Sequence, residues 1–138
     1  MDNIELGRRY DGIIERCVAI FEAKTKDYGP TWLFFRDESF VDQLWIKARR
    51  IRTLEENGDD SLVGEGRADE YLGIVNYGII MLMRMQNPEL FPSPGEVVAD
   101  TEAYYKLHLS DMKRAYLDAF AGVKALMEQD LRGEMTAP

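Results

Sequence analysis

Tyr71-Leu72-Gly73-Ile74-Val75-Asn76-Tyr77-Gly78-Ile79-Ile80-Met81-Leu82-Met83-Arg84-Met85 is the stretch that decides the architecture. It is apolar nearly all round a helical wheel, the signature of a central, buried helix. Gly73, Asn76, Gly78 and Arg84 interrupt it, and it is too short for a comfortable membrane span. Extended outward, this third helix begins near Gly66 and runs to about Gln86, stopping before Pro88.

Upstream, Leu6, Tyr10, Ile13, Ile14, Cys17, Ile20 and Phe21 recur at spacings of three and four, with Arg8, Asp11, Glu15 and Glu22 opposite. The spacing predicts an amphipathic first helix of about six turns, ending before Gly29-Pro30. Tyr28 to Asp37 then reads as an ordered, aromatic loop. Ser39 and Asp42 form a capping box that opens a second helix, whose apolar stripe is Val41, Leu44, Ala48 and Ile51. The run Glu55-Glu56-Asn57-Gly58-Asp59-Asp60 ends it, with Asp59-Asp60 as a turn. Downstream, Ser93-Pro94-Gly95-Glu96 is a second capping signal, and a long helix or broken pair follows from Pro94 to about Arg132, interrupted near Ser110. No segment shows sustained two-residue alternation. The expected fold is all-α, with four to five helices in one domain over residues 1–138.

The 138 residues carry 25 Asp plus Glu against 17 Lys plus Arg, a formal net charge of −8, which argues against the broad basic surface of a duplex-binding protein. Hydrophobic residues at 46% and charged residues at 30% exclude a disordered chain. The single cysteine, Cys17, cannot form an internal disulfide, and no apolar signal core opens the chain, so a cytoplasmic location is expected. Tyr10, Ile14, Cys17, Ile20, Phe21 and Glu22 match Tyr116, Phe120, Val123, Leu126, Met127 and Glu128 at one offset, an echo that two amphipathic helices also produce by chance.

Polar groups planted in apolar stripes are the chemical signal, because burying them unpaired costs several kcal/mol (about 2–7 for an amide). Lys47 and Glu55 lie on or beside the stripe of the second helix, and Asp69, Gly73 and Asn76 line one side of the third, with Glu70 and Tyr77 adjacent. The expectation is that the two stripes face each other across a cleft. Glu55, Asp69 and Glu70 with the Asn76 amide oxygen make an all-oxygen set suited to Mg²⁺ or Mn²⁺. Lys47 and Arg50 could take phosphate charge, and Tyr28, Trp32 and Trp45 could stack on a base. Each has a plainer reading beside it: a solvated helix end for Glu55, macrodipole preference for Asp69 and Glu70, a snorkelling Lys47, core or interface roles for the aromatics. Asn76 is hardest to dismiss, since no helix end excuses it.

Lys26-Asp27-Tyr28-Gly29 with Trp32, then Asp42-Gln43-Leu44-Trp45-Ile46-Lys47-Ala48-Arg49-Arg50-Ile51-Arg52, then Asp69 to Tyr77, resemble the nucleotide-modification-associated domain of bacteria and phages. The likeness covers a core of about residues 10–86, leaving about 94–132 as a helical extension. More distantly the chain resembles the MazG-like all-α nucleotide pyrophosphatases. That resemblance implies a bundle completed by oligomerisation, as a homodimer or homotetramer, and Mg²⁺ held by acidic pairs on two helices. Carried over by position, Glu55 is an acid of the first of those helices and Glu70 the glutamate of the second, while Asp27 enters with Tyr28 and Trp32 in the first block as substrate-binding. Gly73 stands where an aspartate is expected, and Lys47 with Arg50 occupy a helix that should be acidic.

The leading expectation is therefore a nucleotide-binding enzyme that uses Mg²⁺ to hydrolyse a nucleoside triphosphate, with Glu55 and Glu70 catalytic and Glu55, Asp69 and Glu70 on the metal. Lys47, Arg50, Asn76, Tyr28, Trp32 and Asp27 would bind substrate. The alternatives are a non-catalytic binder of a nucleotide or modified nucleotide, and a helical module whose polar stripe lies in a homodimer interface. No membrane partner is expected.

Overall fold

The computed structural model describes residues 2–58, 66–92 and 100–131. Helix α1 (Asn3–Tyr28) opens on Asp2, whose carboxylate accepts the Glu5 N–H at 2.7 Å, and it ends at Gly29, whose φ of 77° suits a residue without Cβ. A 3₁₀ turn (Thr31–Phe34) leads into α2 (Asp37–Glu56), which is followed by α3 (Arg67–Gln86) and a second short 3₁₀ turn (Pro88–Leu90). Helices α4 (Thr101–Leu107) and α5 (Leu109–Leu131) are separated by a break at His108. The fold is all-α, with five α-helices and no strand among the described residues. The second capping signal, Ser93-Pro94-Gly95-Glu96, the Asp59-Asp60 turn and the start of the fourth helix at Pro94 lie outside the described residues.

Helix α3 is the hub, packing against α2, α1 and α5. Leu72, Ile79, Ile80 and Met83 carry it into a core completed by Cys17 of α1, Phe40 of α2, and Met112, Tyr116 and Phe120 of α5. Trp32 fills the end of this core against Phe21, Phe91 and Tyr105, with its indole N–H donated to Thr25 Oγ1 at 3.2 Å. No described helix is long and apolar enough to cross a membrane.

Three details differ from the reading of the sequence. Helix α2 starts two residues earlier than Ser39: Arg36 is its N-cap without a side-chain cap bond, and Ser39 lies in the first turn with its N–H on the Arg36 carbonyl. The start is fixed instead by Arg84, which donates to both the Phe35 carbonyl and the Asp37 carboxylate, its guanidinium 5.0 Å from the Phe40 ring. The stripe of α2 is also turned. Phe40, Lys47 and Ile51 are buried, whereas Val41 and Ala48 face outward, because the aromatic cluster of Phe35, Phe40 and Tyr77 draws the neighbouring residue inward. Finally, α3 is not covered all round: Tyr71, Val75, Leu82 and Met85 are exposed.

Burial raises the phenol pKa of Tyr10, Tyr77, Tyr105 and Tyr116. In the unfolded chain these phenols titrate near pH ~10. Above that point the folded state retains more protons, so their contribution is intact below about pH 10 and is lost progressively as pH rises past it. Lys47, whose pKa burial lowers, acts in the opposite sense, but it stands against the four phenols, the Cys17 thiol, whose pKa burial also raises, and Lys124, whose pKa Asp11 raises. Urea midpoints should therefore fall between about pH 9 and pH 11. An unchanged midpoint over that interval would contradict the burial of these rings.

Candidate functional site

Lys47 and Glu70 meet at the α2–α3 contact, with relative exposures of only 7% and 4%. The Lys47 ammonium stands 3.6 Å from Glu70 Oε2, an ion-pair distance beyond hydrogen-bond reach, and Arg50 Nη1 lies 3.8 Å from Oε1. Oε2 is buried and accepts no hydrogen bond among the described residues. Burial pushes the Lys47 ammonium below the ordinary lysine value, and the nearby Lys24 adds to this, while Glu70 pulls the other way. Lys47 and Arg50 thus face one carboxylate, and Lys24 lies close enough to Lys47 to repel it, in a chain whose net charge is −8.

Gly73 makes that approach possible. A Cβ there would stand 2.8 Å from Lys47 Cε and Nζ, so the lysine lies flat against the bare backbone of α3. Gly73 also forms part of the wall of a cavity of about 190 Å³ between the C-terminal end of α1, the first 3₁₀ turn and α3. Ile20, Phe21, Trp32, Tyr77 and Ile80 make the apolar wall; Lys24, Thr25, Tyr28 and Asn76 supply the polar groups. The Lys47 ammonium sits 5.7 Å from the centre of the Tyr77 ring, which ties the buried ion pair to the cavity wall. The volume is below the ~300–1,000 Å³ of an ordinary ligand cleft. It admits one ring rather than a whole nucleotide.

The structure brings Lys47, Arg50 and Glu70 together and places Tyr28, Trp32 and Asn76 around one cavity. Tyr28 is 76% exposed at the rim, whereas Trp32 is a core residue that shows only an edge. Asp27 is exposed on the last turn of α1 and is not part of the wall. Trp45 points to solvent on the outer face of α2, beneath the Arg49 guanidinium.

The expected metal set does not assemble. Glu55 forms an exposed ion pair with Arg67 at 3.4 Å. Asp69 is exposed and accepts the Gly66 N–H at 3.3 Å, which is a capping role at the start of α3. Glu70 already faces two cations, and no group of three His, Cys, Asp or Glu among the described residues is placed to hold a metal ion. Asn76 is satisfied internally: its Nδ2 donates to the Cys17 carbonyl at 3.0 Å, and its Oδ1 accepts from the Tyr116 hydroxyl. Its oxygen is therefore taken by Tyr116 of α5.

Lys24, Thr25 and the packing role of Tyr116 were not singled out from the sequence. For Lys24 a signal exists. The stripe Cys17, Ile20, Phe21 continues at helical spacing through Lys24 and Tyr28, so the polar end of α1 lies on the same face as its apolar part.

Among known families, residues 24–85 match the model described as nucleotide modification associated domain 1. The match takes in the Lys26–Trp32, Asp42–Arg52 and Asp69–Tyr77 blocks, and with them every residue of the Lys47–Arg50–Glu70 cluster. No curated protein and no solved structure gives a significant match.

Proposed function

With the nucleotide modification associated domain in residues 24–85 as the premise, we propose that this protein is a nucleotide-binding module. One ring enters the cavity between α1 and α3, and the phosphate lies at its Lys24–Lys47 edge. The observation that carries this reading is the surplus of positive charge beside an aromatic-walled cavity in an acidic chain: Lys24, Lys47 and Arg50 against Glu70. A bound phosphate would balance that surplus and restore Lys47 toward its ordinary basicity. Tyr28 at the rim and Tyr77 in the wall offer faces for a base, and Thr25 and Gly29 offer polar groups for its edge.

The test is calorimetric titration with nucleosides, nucleoside monophosphates and nucleoside triphosphates. The expected result is that phosphate strengthens binding and that Lys24→Glu weakens the phosphorylated ligands about tenfold, or ~1.4 kcal/mol, while barely changing a nucleoside. Tyr28→Ala should weaken both. No heat with any member of the panel would overturn the proposal.

Hydrolysis of a triphosphate to monophosphate and pyrophosphate is the second reading, favoured by the buried Glu70 oxygen that accepts no hydrogen bond. The carboxylates of one chain do not fit a Mg²⁺ or Mn²⁺ ion, since Glu55 and Asp69 are engaged elsewhere. Binding without turnover is the expected outcome. Pyrophosphate release with either ion that Glu70→Gln abolishes would replace the binding module by an enzyme.

A further inference from the structure

The outer face of α3 carries Tyr71, Val75, Gly78, Leu82 and Met85, spaced four, three, four and three. This is the spacing of a seam that packs against another helix, yet among the described residues the face is open: Met85 is 72% exposed, Tyr71 51%, and Val75 and Leu82 more than a third. Gly78 stands at its centre. A Cβ there would meet nothing within 4 Å, so the monomer's packing does not require glycine, which costs a helix about 1 kcal/mol relative to alanine. Gly73 has Lys47 to explain it, and Gly78 has no such neighbour among the described residues.

We infer that the α3 face of one copy packs antiparallel on the α3 face of a second copy, with the two-fold axis at Gly78. The stripe is symmetric about that residue. Tyr71 and Met85 are seven positions to either side and so face each other across the axis, while Val75 and Leu82 interleave nearer the centre. The missing side chain at 78 lets the two backbones close at the crossing. At both ends Arg67 of one copy comes to the C-terminal end of the other's α3, where the helix dipole is negative and the acidic Glu89 of the following 3₁₀ turn lies, a placement that a parallel pairing lacks; Arg67 also pairs with Glu55 within its own chain. The opposed helix dipoles add to it.

Helix phase widens the patch. Phe40, Lys47 and Ile51 face α3, which places Val41 and the 61%-exposed Trp45 on the same side of the antiparallel α2–α3 pair as the stripe. Tyr71 and Trp45 are of the class that buries ~150–250 Å² per ring, so with the four aliphatic side chains the face approaches the ~800 Å² per partner of a standard interface. This inference is independent of the nucleotide reading, because the stripe points away from the cavity.

The full chain is expected to sediment as a dimer. Gly78→Gln should yield a folded monomer of equal or greater helicity by circular dichroism, since it adds helix propensity, its Cβ meets nothing within 4 Å and a glutamine amide can extend along the exposed face. Under mild oxidation Gly78→Cys should form a disulfide-linked dimer, and a mixture of Tyr71→Cys with Met85→Cys should cross-link. Tyr71→Cys alone should not, because its two copies stand on opposite sides of the axis, ~21 Å apart along a stripe rising 1.5 Å per residue. The native Cys17 is fully buried and does not interfere. A monomeric wild type, a Gly78→Gln dimer as tight as wild type, or self-linking of Tyr71→Cys in place of Gly78→Cys would overturn the inference.

Discussion

Replacing Lys47 by methionine is expected to lower the unfolding free energy by about 3–5 kcal/mol, read as a shift in urea midpoint at unchanged slope. Methionine keeps the length of the stem against Gly73, so packing changes little. What changes is electrostatic. Glu70 is 4% exposed, and without Lys47 its carboxylate keeps, among the described residues, only Arg50, at 3.8 Å and itself more than half exposed. Glu70→Leu should be costly for the mirror reason, leaving a buried ammonium beside Lys24. The double variant Lys47→Met/Glu70→Leu should recover to within ~1 kcal/mol of wild type, because apolar pairs commonly equal or exceed the buried ion pairs they replace. Single variants each costing less than ~1 kcal/mol would mean that water reaches the pair. Gly73→Ala belongs to the same test: its methyl meets the Lys47 tip at 2.8 Å and should loosen the pair without altering any charge.

That outcome would also bear on function. A pair that contributes little net stability, and that apolar side chains could replace, has no evident structural reason to sit beside a cavity. The nucleotide reading supplies one. Nucleotide affinity measured on the stable double variant separates the two roles, since loss of phosphate-dependent binding there cannot be ascribed to unfolding.

The main elements were legible because local chemistry marks their ends: Gly29 after α1, Gly66 before α3, Pro88 after it. The start of α2 was not, because Ser39 offers a cap that the chain declines. Arg84, forty-seven residues away from Asp37, holds an earlier start through a contact that no local pattern announces. The turned stripe of α2 has the same origin, since Val41 and Phe40 are equally apolar on the wheel and the aromatic cluster with Tyr77 decides between them. Lys47 was legible as a charge on an apolar face that needs a partner. Its partner was not fixed by spacing, because Glu55, Asp69 and Glu70 all qualified and two of them found exposed partners. Asn76 shows the limit most clearly: an amide in a greasy helix must be satisfied, but the rule does not say whether a ligand or the protein satisfies it.

Here it is the protein, and the consequence is large. Asn76→Leu should cost about 2–4 kcal/mol, the sum of a lost buried bond and the desolvation of the stranded Tyr116 hydroxyl, which burial already holds in its neutral form. The Cys17 carbonyl loses its side-chain donor as well. Adding Tyr116→Phe to Asn76→Leu removes the stranded hydroxyl and should restore about half of the loss, a coupling that a double-mutant cycle reads directly. Had Asn76 been chiefly a ligand group, the single variant would leave the urea midpoint nearly unchanged and impair nucleotide binding instead. The geometry dictates the opposite order, stability first and affinity second, because both ends of the amide are engaged before any ligand arrives.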